Sequence, residues 1–430
     1  MSRKFEGKKL LFLGGNPETS QIVKCANDMG IKTIVTSGRS TDDAKKYAWK
    51  SFDVDGMDVP GLIQLAKDEE VDGVLVGVAD ILVPSYAKIC EAFHFPCYAT
   101  EKITNVFSFK DNFKRTCEAY GLHGIKEYPL TAELFPEDVA GIQYPVMVKP
   151  VDNGGGVGMT VVYEEKDLKA AVEKALENSK KKRFIVERYM LCDDFAVYYT
   201  FKDGYCSVSC AFDRFTSGEQ PGLARVNLGS TYPSKHINEY MEKVHPNATR
   251  MFHDMGINNG VLLMQAFYED GEFYFYDPGF RLQGEGCHLL IKEINGFDQR
   301  ELLINFALTG SEGDIDLVKE DDVNFRGKAA STLWFLLKEG TIKTIEGLSD
   351  VDNDPRVIFN FQRLFEGNHV EKEWVGTEKQ VLTRLYIVCN SKQELADTIA
   401  EYRRKIKVVD TEGNDMCLSG FNPYEALGLK

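Results

Sequence analysis

The first eighty residues repeat one unit, a short apolar run that ends in a glycine or polar break and gives way to a helical stripe. Leu10 to Leu13 is followed by Gly14-Gly15-Asn16, and Ser20 to Met29 then carries apolar residues at Ile22, Val23, Ala26 and Met29 before Gly30. Ile31 to Thr36 and Val71 to Val78 repeat the strand signal with helical segments between them. Strands and helices in alternation predict a parallel sheet covered by helices, so residues 1–100 are expected to form an N-terminal parallel α/β domain. The loop Gly14-Gly15-Asn16-Pro17 lacks the GxGxxG spacing of a dinucleotide fingerprint, which disfavours a Rossmann dehydrogenase.

A chain of 430 residues is long enough for two or three domains with substantial cores, at about 150 residues per domain. The net charge of −15 opposes binding to a nucleic-acid backbone or an anionic membrane, and neither partner is expected. No run approaches the roughly 18 uninterrupted apolar residues of a membrane span, and the start of the chain has no signal-peptide pattern, so a cytoplasmic protein is expected. The ten cysteines include no CxxC pair and read as reduced thiols in or near cores.

A second unit is expected over residues 101–310. Within it, the stretch YPVMVKPVDNGGGVGM predicts a strand from Tyr144 to Lys149, a glycine loop, and a second strand from Met159 to Tyr163. A helix follows, with Leu168, Ala171, Val172, Ala175 and Leu176 on one stripe, and then a strand from Phe184 to Glu187. This block is expected to form one compact subdomain over about 115–190. Residues 311–430 are expected to form a small C-terminal α+β domain that begins with a helix over Ala329 to Leu337 and turns to strand at Val381 to Val388.

Four segments carry chemistry. Pro150 is expected to stop the strand at Lys149 and leave the ammonium where a ligand can reach it. The loop Asn153 to Gly158, with Gly154, Gly155 and Gly156, can turn several amides toward one anion, because glycine tolerates the backbone angles that requires. Lys110 lies at the start of a helical pattern. Glu187, Arg188 and Met190 lie where a strand passes into a loop, an edge that can pair with an adenine. Finally, GVLLMQAFYEDGEFYFYDPGFRLQGEG holds two apolar strands about Asp270-Gly271, a strong hairpin signal. A two-residue turn there would send Gln265 and Asp277 to opposite faces of the hairpin, whereas a three-residue turn would bring them to one face and permit a joint metal site.

Together and in this order, these segments resemble the ATP-grasp superfamily of carboxylate-amine ligases, in the branch similar to carbamoyl-phosphate synthase and biotin carboxylase. The resemblance implies an α/β fold with an N-terminal parallel domain, a two-subdomain ATP-grasp core and a closing C-terminal domain. It implies ATP and Mg²⁺ or Mn²⁺ as cofactors. Lys110 and Lys149 would contact the phosphates under the loop of Gly154, Gly155 and Gly156; Glu187, Arg188 and Met190 would meet the adenine, and Asp194 the ribose. The family's E-x-N-x-R pattern becomes Asp277-Pro278-Gly279-Phe280-Arg281, with Gln265 in place of the first acidic ligand. Asp277 and Gln265 are thus the metal candidates, with one formal charge and one side-chain ligand fewer, and Glu285 is the next acidic residue downstream.

The implied reaction phosphorylates a carboxylate to an acyl phosphate, which an amine then attacks, with Arg281 and Lys149 as catalytic groups. Asp80, Arg225 and Arg281 are candidate contacts to the substrate. The alternatives are an ATP-dependent carboxylase that phosphorylates bicarbonate, favoured by ADP release without an organic acid, and a non-catalytic nucleotide-binding protein, to which the weakened metal motif points. Family members are often dimers, which allows a homodimer by analogy.

Overall fold

The computed structural model describes residues 4–151, 158–218 and 225–429. The N-terminal unit is a four-stranded parallel sheet in the order Lys50–Phe52, Lys32–Thr36, Lys9–Leu13, Gly73–Val76. Lys9–Leu13 and Gly73–Val76 are buried along almost their whole length, which is why they read as continuous apolar runs rather than alternating ones. The strand order reverses between Lys9–Leu13 and Gly73–Val76, which run parallel, so the carboxyl ends of these neighbours form a topological switch point, where open α/β sheets bind ligands. Glu18 follows the first of these strands and Asp80 the second.

The core of the molecule is a nine-stranded sheet. From one edge it runs Val357–Gln362, Val381–Cys389, Ala329–Leu336, Asn227–Tyr232, Tyr205–Thr216, Asp193–Lys202, Gly260–Glu269, Glu272–Gly279 and His123–Gly124. Ala329–Leu336 is therefore a strand and not the expected helix. All eight of its residues are buried, and a short apolar run reads alike in a buried helix and a buried strand. Pairing with Asn227–Tyr232 and Val381–Cys389 decides the matter. Through these strands the C-terminal residues extend the same sheet, while a separate three-stranded sheet and helix Lys392–Lys405 build a second core beside it.

A smaller antiparallel sheet, Glu127–Tyr128, Phe184–Arg188, Val146–Pro150 and Thr160–Val162, packs under helix Leu168–Glu177 on its own core. Pro150 does not stop its strand at Lys149 but is itself the last residue, opposite Phe184. The glycines Gly154, Gly155 and Gly156 lie outside the described residues. Where the chain is described again, Gly158 has φ +78°, and a Cβ there would sit 2.8 Å from Pro150 Cγ and 2.7 Å from Asn178 Cβ. Only glycine satisfies both demands. Among the described residues, no helix is long and apolar enough to cross a membrane.

Candidate active site

The hairpin Gly260–Glu269 and Glu272–Gly279 resolves the question its sequence raises in an unexpected way. Glu269 pairs with Glu272, so the turn has two residues, with Asp270 at φ 50° and Gly271 at φ 87°. Alone, that register would part Gln265 from Asp277. A bulge between Gln265 and Ala266 in the ladder restores the match: Ala266 faces Phe275 but Gln265 faces Asp277, which leaves Tyr276 as the extra residue. Gln265 and Asp277 thus share a face without the three-residue turn.

The same face carries more charge. Gln265 lies opposite Ala196, and Asp194, two residues back, lies opposite Arg214. Arg214 donates to Asp194 Oδ2 at 3.4 Å, to the Tyr276 hydroxyl at 3.1 Å and to Glu285 Oε1 at 3.0 Å, and Tyr276 in turn donates to Asp194 Oδ1 at 3.0 Å. The bulged residue therefore bridges the network. Burial pushes the Asp194 carboxyl up, against the opposing pull of Arg214 and Tyr276. Arg225, exposed and 3.5 Å from the Ser217 carbonyl, is close enough to act on Asp194 as well. Glu285 Oε2 is buried with no partner among the described residues.

Two lysines from other elements meet this face. Lys110 begins helix Lys110–Ala119, as the sequence predicts, and its ammonium lies 2.9 Å from Asp277 Oδ1. Burial alone would depress the Lys110 pKa, but Asp277, with Glu187 and Asp80 behind it, more than offsets that and raises it. Lys149, in the smaller sheet, pairs with Glu187 at 2.5 Å. Glu187, paired with Lys149, is also close enough to act on the charge of Lys110, which places the two ion pairs Lys149–Glu187 and Lys110–Asp277 in one electrostatic neighbourhood. Arg188 is held elsewhere by two contacts to Glu269, at 2.7 and 2.9 Å, and Met190 is buried.

The switch point closes the site. Arg281 Nη2 donates to Asp80 Oδ2, Nη1 donates to Gln283 Oε1 at 2.9 Å, and the buried Nε has no partner among the described residues. Asp80 Oδ1 is also without a partner, and it lies 3.1 Å from where a Cβ would stand on Gly279. Gly279 stands where the family pattern has asparagine, and a carboxylate oxygen from the turn after Gly73–Val76 lies against it. Asp277, Gln265 and Asp80 Oδ1 are hard oxygen donors of the kind that a magnesium ion takes, so the residues present fit such an ion despite the changed motif. Among the described residues, one group of at least three His, Cys, Asp or Glu ligand atoms gathers closely, Cys25, Asp298 and Glu301, but Asp298 is already held by Arg300 at 2.8 Å and Lys292 at 2.9 Å.

Residues absent from the sequence expectations complete the surroundings. Arg384 is 1% exposed, donates to Glu378 at 2.8 Å and to the Gly284 carbonyl at 3.2 Å, and lies 3.2 Å from Glu18. An arginine in the otherwise apolar strand VLTRLYIVC is itself a signal, because a buried guanidinium requires partners. Arg214 gives the same signal in Tyr205–Thr216.

A profile of the D-ala D-ala ligase C-terminus matches residues 125–214. A formate-dependent phosphoribosylglycinamide formyltransferase of Sulfurisphaera tokodaii is 23% identical over 262 residues, 59% of this chain and 65% of the relative. The match to its counterpart in Bacillus subtilis covers 49% of that protein, so the chain spans only about half to two thirds of these curated relatives. Among solved structures, an L-amino acid ligase from Bacillus licheniformis superposes with a TM-score of 0.77 at 19% identity, over 94% of this chain and 99% of the other. A biotin carboxylase–β,γ-ATP complex from Campylobacter jejuni gives a TM-score of 0.72 at 17% identity, over 97% and 94%.

Proposed function

We propose that this chain, which has the ATP-grasp fold, is an ATP-dependent ligase that activates a carboxylate as an acyl phosphate for attack by an amine. The observation that carries the reading is the convergence of Lys110, Lys149 by way of Glu187, and Asp277 on one side of the central sheet. Cations from two different elements beside a carboxylate suit a triphosphate and its counter-ion.

In the first step a substrate carboxylate oxygen attacks the γ-phosphorus of ATP, the bond to the ADP oxygen breaks, and an acyl phosphate forms. Lys110 and Lys149 offset the phosphate charge, and Arg281, anchored by Asp80 and Gln283, presents its unpartnered Nε to the carboxylate or the transferring group. A magnesium ion would be held by Asp277, Gln265 and Asp80, and when bound it neutralises phosphate charge. In the second step the amine lone pair attacks the acyl carbon, the bond to phosphate breaks with its electron pair on the leaving phosphate, and that phosphate takes up the proton shed by the nitrogen. Glu187, Met190 and the backbone at Arg188 would meet the adenine, and Asp194, fixed by Arg214 and Tyr276, the ribose. The loop of Gly154, Gly155 and Gly156 would cover the phosphates, and Arg225 would lie at the rim of the acyl site.

The test is a screen of carboxylic acids with ATP, Mg²⁺ and hydroxylamine. Hydroxamate formation with stoichiometric ADP supports the reading. ADP release that needs only bicarbonate would replace it with the carboxylase reaction, and ATP binding without ADP release under any condition would replace it with a binding role.

A further inference from the structure

Between helix Lys110–Ala119 and the smaller sheet lies an open groove of about 570 Å³, a volume in the range of small-ligand sites. One wall is a single stripe of the helix with Asp111, Arg115 and Glu118, and the other holds Lys126 and Arg183. Lys114, on the same stripe, is committed to Glu127 at 2.7 Å, and Arg115 donates to Asn112 Oδ1 at 2.6 Å. Asp111 and Glu118 on the helix, and Lys126 and Arg183 opposite, are exposed and have no ion-pair partner among the described residues. The groove also contains a free sheet edge. Arg188 N–H donates to the Lys126 carbonyl at 2.9 Å and Val186 faces Tyr128, so strand alternation turns the N–H and C=O of Phe184 to the same edge. The neighbouring strand has ended there: Leu130 N–H folds back on the Tyr128 carbonyl at 2.9 Å, which leaves both backbone groups of Phe184 without a partner among the described residues. Leu130, Phe184 and Ile185 supply apolar lining beside that edge.

We propose that this groove is a second ligand site, separate from the nucleotide and acyl sites, and that it binds a short peptide with free ends. Three features select that chemistry. An extended peptide adds to an open sheet edge, where the N–H and C=O of one of its residues pair with the Phe184 carbonyl and amide. Uncommitted charges of opposite sign stand on the two walls: Asp111 and Glu118 suit the ammonium end, and Lys126 and Arg183 the carboxylate end. A ligand with one sign of charge would be repelled by one wall. The apolar lining packs the peptide's side chains, and the volume admits a tripeptide. The walls are the helix that begins with Lys110 and the strand that carries Glu187, so the peptide ties together two elements that also meet the nucleotide. The site stands apart from the ligase reading, because peptide binding neither requires acyl transfer nor reports it.

The test titrates the full chain with trialanine and trileucine by calorimetry, in the presence of excess ADP and Mg²⁺. At least one peptide should bind with a Kd below about 1 mM. Acetylation of its amine or amidation of its carboxylate should each weaken binding about threefold or more. N-methylation of the middle residue removes the donor to the Phe184 carbonyl and should weaken it by a similar factor. In the double variant Lys126→Ala with Arg183→Ala the free acid and its carboxamide should bind alike, and in Asp111→Asn with Glu118→Gln the free amine and its acetyl form should bind alike. All four side chains are exposed, so the variants are expected to keep the wild-type Tm. The site is overturned if neither peptide binds, if capping or methylation makes no difference, or if the double variants keep the wild-type preferences, which would move the peptide to another part of the molecule.

Discussion

Lys110 and Asp277 lie 2.9 Å apart, one at the start of a helix and the other in the hairpin strand beside the Tyr276 bulge. The ammonium occupies the position of a cation at the carboxylate that is proposed to hold one. Lys110→Ala is therefore expected to strengthen Mn²⁺ binding in the absence of nucleotide and to weaken ATP binding. Electron paramagnetic resonance titration of Mn²⁺, with and without ATP, reads both changes.

Lys149 is half-buried against Glu187, and in the proposed site its loss would remove a preorganised donor from the transferring phosphate. Such a donor contributes about 3 kcal/mol to transition-state stabilisation, so Lys149→Ala should lower kcat for ADP formation about a hundredfold or more. A near-normal kcat would remove Lys149 from the mechanism.

Gln265 faces Asp277 across the ladder. Gln265→Glu places a second carboxylate there and should tighten Mn²⁺ binding about tenfold, while Asp277→Asn should loosen it by at least as much. Equal affinities in all three proteins would move the metal elsewhere.

His288 is buried neutral, with its pKa lowered from the usual value to about 3 by burial first and Arg300 second. Its folded pKa lies below its unfolded one of about 6.5, so its contribution to stability is complete above pH 6.5 and declines as pH falls from there toward 3. The loss reaches up to about 5 kcal/mol at the acid end. Urea midpoints of the wild type and of His288→Gln should diverge less at pH 4 than at pH 7. Glu312 behaves in the opposite sense. Burial raises its pKa to about 8, against the opposing hydrogen bond from the Gly260 amide. Its contribution is complete below the unfolded value of about 4.5 and is lost as pH rises through 8, so Glu312→Gln should gain on the wild type between pH 5 and 9.

Gly286 has φ +80°, and a Cβ there would lie 2.4 Å from the Tyr386 hydroxyl, which donates to the Glu285 carbonyl at 2.9 Å. Gly286→Ala must therefore displace Tyr386 and adopt a strained backbone, at a cost of about 2 to 4 kcal/mol. Thermal unfolding reads it as a clear drop in Tm.

The parallel unit and the hairpin were legible because their signals are local: apolar runs bounded by glycine, and Asp270-Gly271 between two apolar strands. Lys110 at a helix start and Lys149 near a strand end were legible for the same reason. The shared face of Gln265 and Asp277 was not, because it depends on a bulge at Tyr276 held by Asp194 and Arg214, residues sixty to eighty positions away. Ala329–Leu336 was misread because its eight buried residues carry no period, and only its neighbours in the sheet make it a strand.

The central claim is that Lys110, Lys149 and Asp277 surround one triphosphate. A crystal structure with a non-hydrolysable ATP analogue and Mg²⁺ tests it most directly. The account predicts both lysine ammonium groups within hydrogen-bond distance of phosphate oxygens and the Asp277 carboxylate on the metal. A triphosphate bound away from Lys110 and Asp277, or a metal held without Asp277, would contradict it.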